Sequence, residues 1–172
     1  MLPPVLANVL FEAALPNQVD DGDLLCTWGN IEILAGDTLM VLGQFPGALL
    51  LLPSIEDLAS AMTRLRAGHK TIEVALVGDT TSLWILERTH GAQGGVVLAH
   101  RGTEAGPIHR DDLEQALGDA VQAFLEAILA RRSASTWGAS AVQIVESVAL
   151  GWPNAAGILR EGHGRGWRRG AS

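Results

Sequence analysis

The brevity of the turns in the first third of the chain constrains the fold most. In "LLCTWGNIEILAGDTLMVLGQFPGALLLLP", residues 24–53, three apolar runs are separated by "AGDT" and "FPG" alone. A parallel return needs a crossover of roughly a dozen residues or more, so runs joined this tightly must be antiparallel neighbours. Leu24, Cys26 and Trp28 share one face of the first run. Ile31 and Ile33 share another, beyond an interruption at Gly29–Asn30 that reads as a bulge or a turn.

The flanking segments add helices. Residues 5–15 read as a short helix, with Leu6, Val9, Leu10 and Ala13 at helical spacing and Pro16 as the stop. "NQVDDGD" is a loop by composition. "PSIEDLASAMTRLRAG" is the clearest helix. Ser54 suits its N-cap with Asp57 three residues on, Ile55, Leu58, Met62 and Leu65 form its stripe, and Arg64, Arg66 and Gly68 close it. "TIEVALV" is a strand and "GDTT" a turn, after which "SLWILER" and "GVVLAH" are two further strands. A long helix starts near His109, with the stripe Leu113, Leu117, Val121 or Ala120, Phe124 and Ile128. Its acids Asp111, Asp112 and Glu114 lie at the positive end, and Arg131 and Arg132 at the negative end. "WGASAVQIVESVAL" reads as a shorter helix using Trp137, Ala141, Ile144, Val145 and Val148. Strands come in runs, in the order β-β-β-α-β-β-β-α. The expected fold is therefore α+β: a largely antiparallel sheet of five to six short strands, with two amphipathic helices on one face. Residues 1–152 form the expected single domain, and 153–172 a loose Gly/Arg-rich tail.

Charge and cysteine usage narrow the function. The net charge is -7, and no Lys or Arg precedes Arg64. The tail concentrates Arg160, Arg165, Arg168 and Arg169 against Glu161, which leaves the body more acidic than the sum suggests. An acidic body repels phosphates, so nucleic acid is not the expected partner of the folded domain. Cys26 is the single cysteine, so no intrachain disulfide forms, as suits a reducing cytosol. The apolar start "MLPPVLANVLFEAALP" lacks the positive region of a signal peptide, and "ALLLL", Ala48–Leu52, is too short to span a bilayer. Eleven Arg against one Lys suits a GC-rich bacterial genome. The expectation is a bacterial cytoplasmic protein that needs no membrane and no cofactor.

Each candidate site has a plain structural alternative. In "RTHGAQGGVVLAH", Gly91, Gly94 and Gly95 suit a hairpin turn. A phosphate cradle would need a helix after the glycines, and a strand-like run follows instead. His90 and His100 could face each other across that hairpin, but two histidines do not define a metal site. His69, His109 and His163 show no ligand spacing either. "DDGD" has the carboxylate density of a calcium loop without the rest of its pattern. Cys26, among apolar neighbours, reads as a core residue. Glu73 and Glu87 read as solvated acids on the open side of a sheet. Trp167 among the tail arginines offers stacking and charge, although terminal segments of this type are usually plain solvated ends. Trp28, Trp84, Trp137 and Trp152 read as core or edge aromatics, and one that proved exposed would mark a binding surface. No residue is assigned a catalytic, cofactor-binding or metal-binding role.

The organisation resembles two groups of small acidic bacterial proteins. "SIEDLASAMTRLRAG", the strands around "SLWILERTHG" and the closing helix "RDDLEQALGDAVQAFLEAIL" are similar in order to immunity proteins of polymorphic-toxin systems. "DGDLLCTWGNIEIL" with the same closing helix resembles class I type III secretion chaperones. Both likenesses span residues 20–130 and imply a protein that binds another protein. The expected function is a non-enzymatic, immunity-type or chaperone-type binding domain. Asp20, Asp21 and Asp23 form the expected contact patch for a basic partner. Two alternatives stand beside it. One is an enzyme joining Glu73 or Glu87 to His90 or His100, and the other is an oligomer-forming structural subunit.

Overall fold

A computed structural model describes residues 2–11, 27–90, 93–130 and 139–153. Within them the order is β1 (Val5–Phe11), β2 (Trp28–Ala35), β3 (Thr38–Leu42), β4 (Leu49–Leu50), α1 (Leu51–Arg66), β5 (Thr71–Val74), β6 (Leu83–His90), β7 (Gln93–His100), β8 (Thr103–Ile108), α2 (Arg110–Ala130) and α3 (Ala139–Gly151). The class is α+β, as expected, and every strand pair is antiparallel. The strands divide into two sheets of four. One runs β1-β2-β3 with β4 also paired to β2, and the other runs β5-β6-β7-β8.

The segment expected to start as a helix is instead β1. Over so short a run, helical spacing and strand alternation overlap. Leu6, Val9 and Leu10 fit a helix, but Val5, Ala7, Val9 and Phe11 fit one face of a strand. Tertiary pairing decides between them: β1 is in register with β2 from Val5 opposite Ala35 to Phe11 opposite Gly29. Phe11 then packs edge-on against Phe124 of α2, with ring centroids 5.3 Å apart. The expected interruption at Gly29–Asn30 is also absent, since β2 runs straight through it. Gly29 is there because a Cβ would drive into the Leu10 carbonyl.

The helix α1 begins before its expected cap. Leu51 and Leu52, read as strand, already lie in it, and its N-cap is Leu50 with no side-chain bond. Ser54 is buried inside the helix, where its hydroxyl accepts the Val77 amide at 3.2 Å. Pro53 is tolerated because a first-turn amide has no helical partner to lose. Ile55, Leu58, Met62 and Leu65 are buried as expected, and so are Leu51, Leu52, Ala59 and Ala61, so α1 is enclosed on most sides. Gly68, past its end, adopts φ +90°.

The helix α2 lays Leu113, Leu117, Val121 and Phe124 into the core against β1. The helix α3 packs on α1, with Val148 buried and Gly151 pressed against Ala59. Strand β8 was not expected, because "TEAGPI" carries Gly106 and Pro107. A register shift opposite Val96 and Leu98 accommodates them. One hydrophobic cluster runs from Val5 to Trp152 and joins both sheets to the three helices. Among the described residues, no helix is long and apolar enough to cross a membrane.

Candidate functional site: the outer face of the first sheet

Strand alternation builds an apolar surface on the side of the first sheet away from the core. In β2, Gly29, Ile31, Ile33 and Ala35 point inward and are buried. The opposite parity holds Trp28, Asn30, Glu32 and Leu34. The register aligns these with the outer residues of the neighbouring strands. Leu6, Leu34 and Leu39 form one row across β1, β2 and β3, and Asn8, Glu32 and Val41 form the next. Leu10 stands beside Asn30 in the third.

Most of these side chains are open to solvent. Leu6, Leu10, Trp28, Leu39 and Val41, together with Phe45 on the β3–β4 loop, are between 40% and 64% exposed. Single exposed apolar residues are ordinary, but a contiguous cluster marks an interaction surface. Phe45 is displayed by design of the loop. The Asn30 amide donates to the Leu42 and Phe45 carbonyls at 3.1 and 3.2 Å, and its oxygen accepts the Gly47 amide at 2.5 Å. Asn30 therefore acts as a post around which residues 43–47 are wound.

The electrostatic setting is one-sided. Residues 1–63 hold eight acids and neither Lys nor Arg. Glu32 is half-buried in the middle row, and Asp37 is exposed at the β2–β3 turn. An apolar field around a carboxylate suits a partner that brings both apolar side chains and a cation.

A second polar constellation lies where three loops meet. The Asp79 side chain is 0% exposed, and its carboxylate accepts four hydrogen bonds. These come from the amides of Gly43 (3.0 Å) and Thr81 (2.9 Å), from His100 Nε2 (2.9 Å) and from Arg101 Nη2 (2.5 Å). An ionised carboxylate only accepts, so His100 donates through Nε2. Burial by itself would push the Asp79 carboxyl up. The bonds from Arg101, Thr81, His100 and Gly43 outweigh it and hold the pKa at about 2. Arg101 adopts φ +50°, unusual for a side-chain-bearing residue, in the tight turn between β7 and β8. With the carboxylate closed off and the His100 side chain 2% exposed, the geometry is that of a stitch between loops, not an opening for a substrate.

The structure separates most of the residues considered from sequence. The hairpin expected at "RTHGAQGG" is present, with His90 opposite Gln93 and a two-residue connection. His100 ends the same strand, seven residues and about 23 Å from Gln93, so it does not face His90. Glu73 bonds the Ser82 hydroxyl at 2.7 Å on the outer side of the second sheet. Glu87 is exposed, as expected of a solvated acid, but it shares parity with the buried Leu83 and Ile85 and so lies on the inner side of its strand. It lines a depression of about 320 Å³ with His109, Arg110 and Asp111. The carboxylate that meets His100 is thus Asp79, from the "GDTT" turn, and neither Glu73 nor Glu87. The Asp79–Thr81 contact is an Asx-turn that sequence can suggest; the approach of His100, twenty-one residues on, carries no sequence signal. Asp20, Asp21, Asp23, Cys26, Trp137, His163 and Trp167 lie outside the described residues. Trp28 and Trp84 are part-exposed, whereas Trp152 is buried.

A second depression, about 330 Å³, lies between helix ends and is lined by Arg66, Glu114 and Trp152 among others. Arg66 bonds Glu114 at 3.1 Å and the carbonyls of Leu150 and Gly151, closing the C-terminus of α3. Among the described residues, no group of three or more His, Cys, Asp or Glu side chains is placed to hold a metal ion. No family model, no curated protein and no solved structure matches this chain.

Proposed function

We propose that this chain is a non-enzymatic protein-binding domain whose contact surface is the outer face of its first sheet. The observation that carries the reading is the exposed cluster of Leu6, Leu10, Trp28, Leu39, Val41 and Phe45 around Glu32, in a part of the chain without a single basic residue. The partner is a protein that presents an apolar segment carrying Lys or Arg. Apolar burial supplies the affinity, and the acids supply steering and register. An immunity-type protein that neutralises its partner, or a secretion chaperone, would act through such a surface in the cytoplasm. Asp20, Asp21 and Asp23 belong to the connection between β1 and β2, and extend the acidic character of the same part of the chain.

The test begins with affinity capture from the source cell's lysate at low and moderate salt. The retained protein is then purified and titrated against variants. Burying one leucine is worth about 1.5–3 kcal/mol, so Leu39→Glu is expected to weaken binding at least about tenfold. Glu32→Lys and reversal of Asp20, Asp21 and Asp23 are expected to slow association and flatten its salt dependence. Identical binding by Leu39→Glu and Glu32→Lys would remove this face as the contact surface.

A further inference from the structure

We infer that two copies of this chain pair through the free edge of β1, forming one continuous sheet across a twofold axis at Asn8. Among the described residues, β1 has β2 as its neighbour on one side and no strand on the other. The hydrogen-bond phase shows which groups face the open side. The Gly36 amide donates to the Pro4 carbonyl at 3.0 Å, so Pro4 and Gly36 are a hydrogen-bonded pair. Bonded and non-bonded pairs alternate in an antiparallel ladder, and β1 carries no bulge. Leu6, Asn8 and Leu10 therefore bond to β2. Val5, Ala7 and Val9 turn their amides and carbonyls outward.

Edge strands are ordinarily protected by lysine, proline, a bulge or shortness. The strand β1, "VLANVLF", has none of these over seven residues. The other outer strands differ: β3 is shorter, at five residues, and lies beside β8 of the second sheet. β5 is four residues long with Glu73 exposed, and β8 carries Glu104, Pro107 and the register shift. Uncharged, unbroken backbone such as that from Val5 to Leu10 is a template for another strand.

The sequence of β1 selects a second copy as that strand. Antiparallel pairing of a strand with itself is a twofold operation. A register centred on Asn8 sets Ala7 opposite Val9 of the other copy, and Val9 opposite its Ala7. These are the residues with outward amides, so both pairs exchange two hydrogen bonds. On the outer face the same register sets Leu6 opposite Leu10 and Asn8 opposite itself, so no like charges meet. Among the described residues, the nearest carboxylates, the two copies of Glu32, stand one strand back on each side, about 14 Å apart, beyond the Debye length at physiological salt. The apolar rows of the two copies then join into one surface. This pairing is independent of what that surface binds.

The register makes the test specific. Asn8 and its symmetry mate form a non-hydrogen-bonded pair, with Cα atoms about 4.5 Å apart, inside the range a disulfide can bridge. In a Cys26→Ser background, Asn8→Cys is expected to form an interchain disulfide under mild oxidation. Leu6→Cys, also exposed but opposite Leu10, is expected to cross-link much more slowly. Sedimentation equilibrium of the unmodified chain should show a concentration-dependent rise to twice the 18.1 kDa chain mass. A monomer at every concentration overturns the proposal. So does a dimer in which Asn8→Cys cross-links no faster than Leu6→Cys. Both substitutions lie on the solvent side of β1, and circular dichroism of each variant confirms that the fold is retained.

Discussion

Replacing Asp79 with asparagine keeps the side chain's shape, removes its charge and turns one acceptor oxygen into a donor. The new amide nitrogen must then face one of two donor sets, Gly43 with His100 or Thr81 with Arg101. The native carboxyl is lowered from 3.8 to about 2, which at 1.36 kcal/mol per pKa unit corresponds to about 2 kcal/mol of stability. Leaving a buried donor unpaired adds about 1–3 kcal/mol. Together these put the loss at neutral pH near 3–5 kcal/mol, the range for breaking a buried ionic pair from one side. The pH dependence separates the two contributions. Because the folded pKa is depressed, the charge contribution is complete above the unfolded value of 3.8 and is lost as pH falls through about 2. Urea unfolding of the native chain and Asp79→Asn, followed by circular dichroism from pH 7 to pH 2, measures the gap between them. That gap should narrow by about 2 kcal/mol between pH 4 and pH 2. A gap of the same size at both ends of the range, or one under about 1 kcal/mol at pH 7, would refute the assignment of Asp79 as an ionised stitch.

Two further substitutions probe other parts of the structure. Asn30→Ala removes the post under residues 43–47 and strands the Leu42 and Phe45 carbonyls and the Gly47 amide. Chemical denaturation should show a loss of about 2–3 kcal/mol, with faster amide exchange at Gly47. Gly151→Ala places a methyl into Ala59 at the α1–α3 crossing and should cost about 1–3 kcal/mol by thermal unfolding. Gly68→Ala is the useful control there, because its Cβ would meet no atom within 4 Å and its cost should come from the φ of +90° alone.

Elements with a long period were legible in the sequence. The stripe of α1 and the stripe of α2 from Leu113 to Phe124 are buried as their spacing requires. The β6–β7 hairpin follows from the two apolar runs, although Gly94 and Gly95, read as loop glycines, pair within β7 opposite Thr89 and Arg88. The misreadings have local causes. The run from Val5 to Phe11 satisfies both periods, and pairing with β2 is what breaks the tie. Leu51 and Leu52 continue an apolar run that reads as strand, but they are buried in a helix that starts without a side-chain cap. The outer apolar face was hidden for a different reason. Leu6, Leu34 and Leu39 look like core residues one at a time, and the strand register alone reveals that they share the wrong side of the sheet. Asp79 was hidden by distance, since its partners come from three separate loops.

Loops between strands usually absorb insertions and deletions, because their backbone is solvated and unregistered. Three loops of this chain are denied that freedom. The segments after β3, before β6 and between β7 and β8 each place a donor or the acceptor at one carboxylate, to within hydrogen-bond tolerance. Lengthening any one of them by a residue withdraws its group and leaves the other two holding an incompletely paired charge. The chain length of these loops is thereby fixed as firmly as the identity of a core residue, and grafted epitopes or tags placed there should fail where their hydrophilicity alone would recommend them.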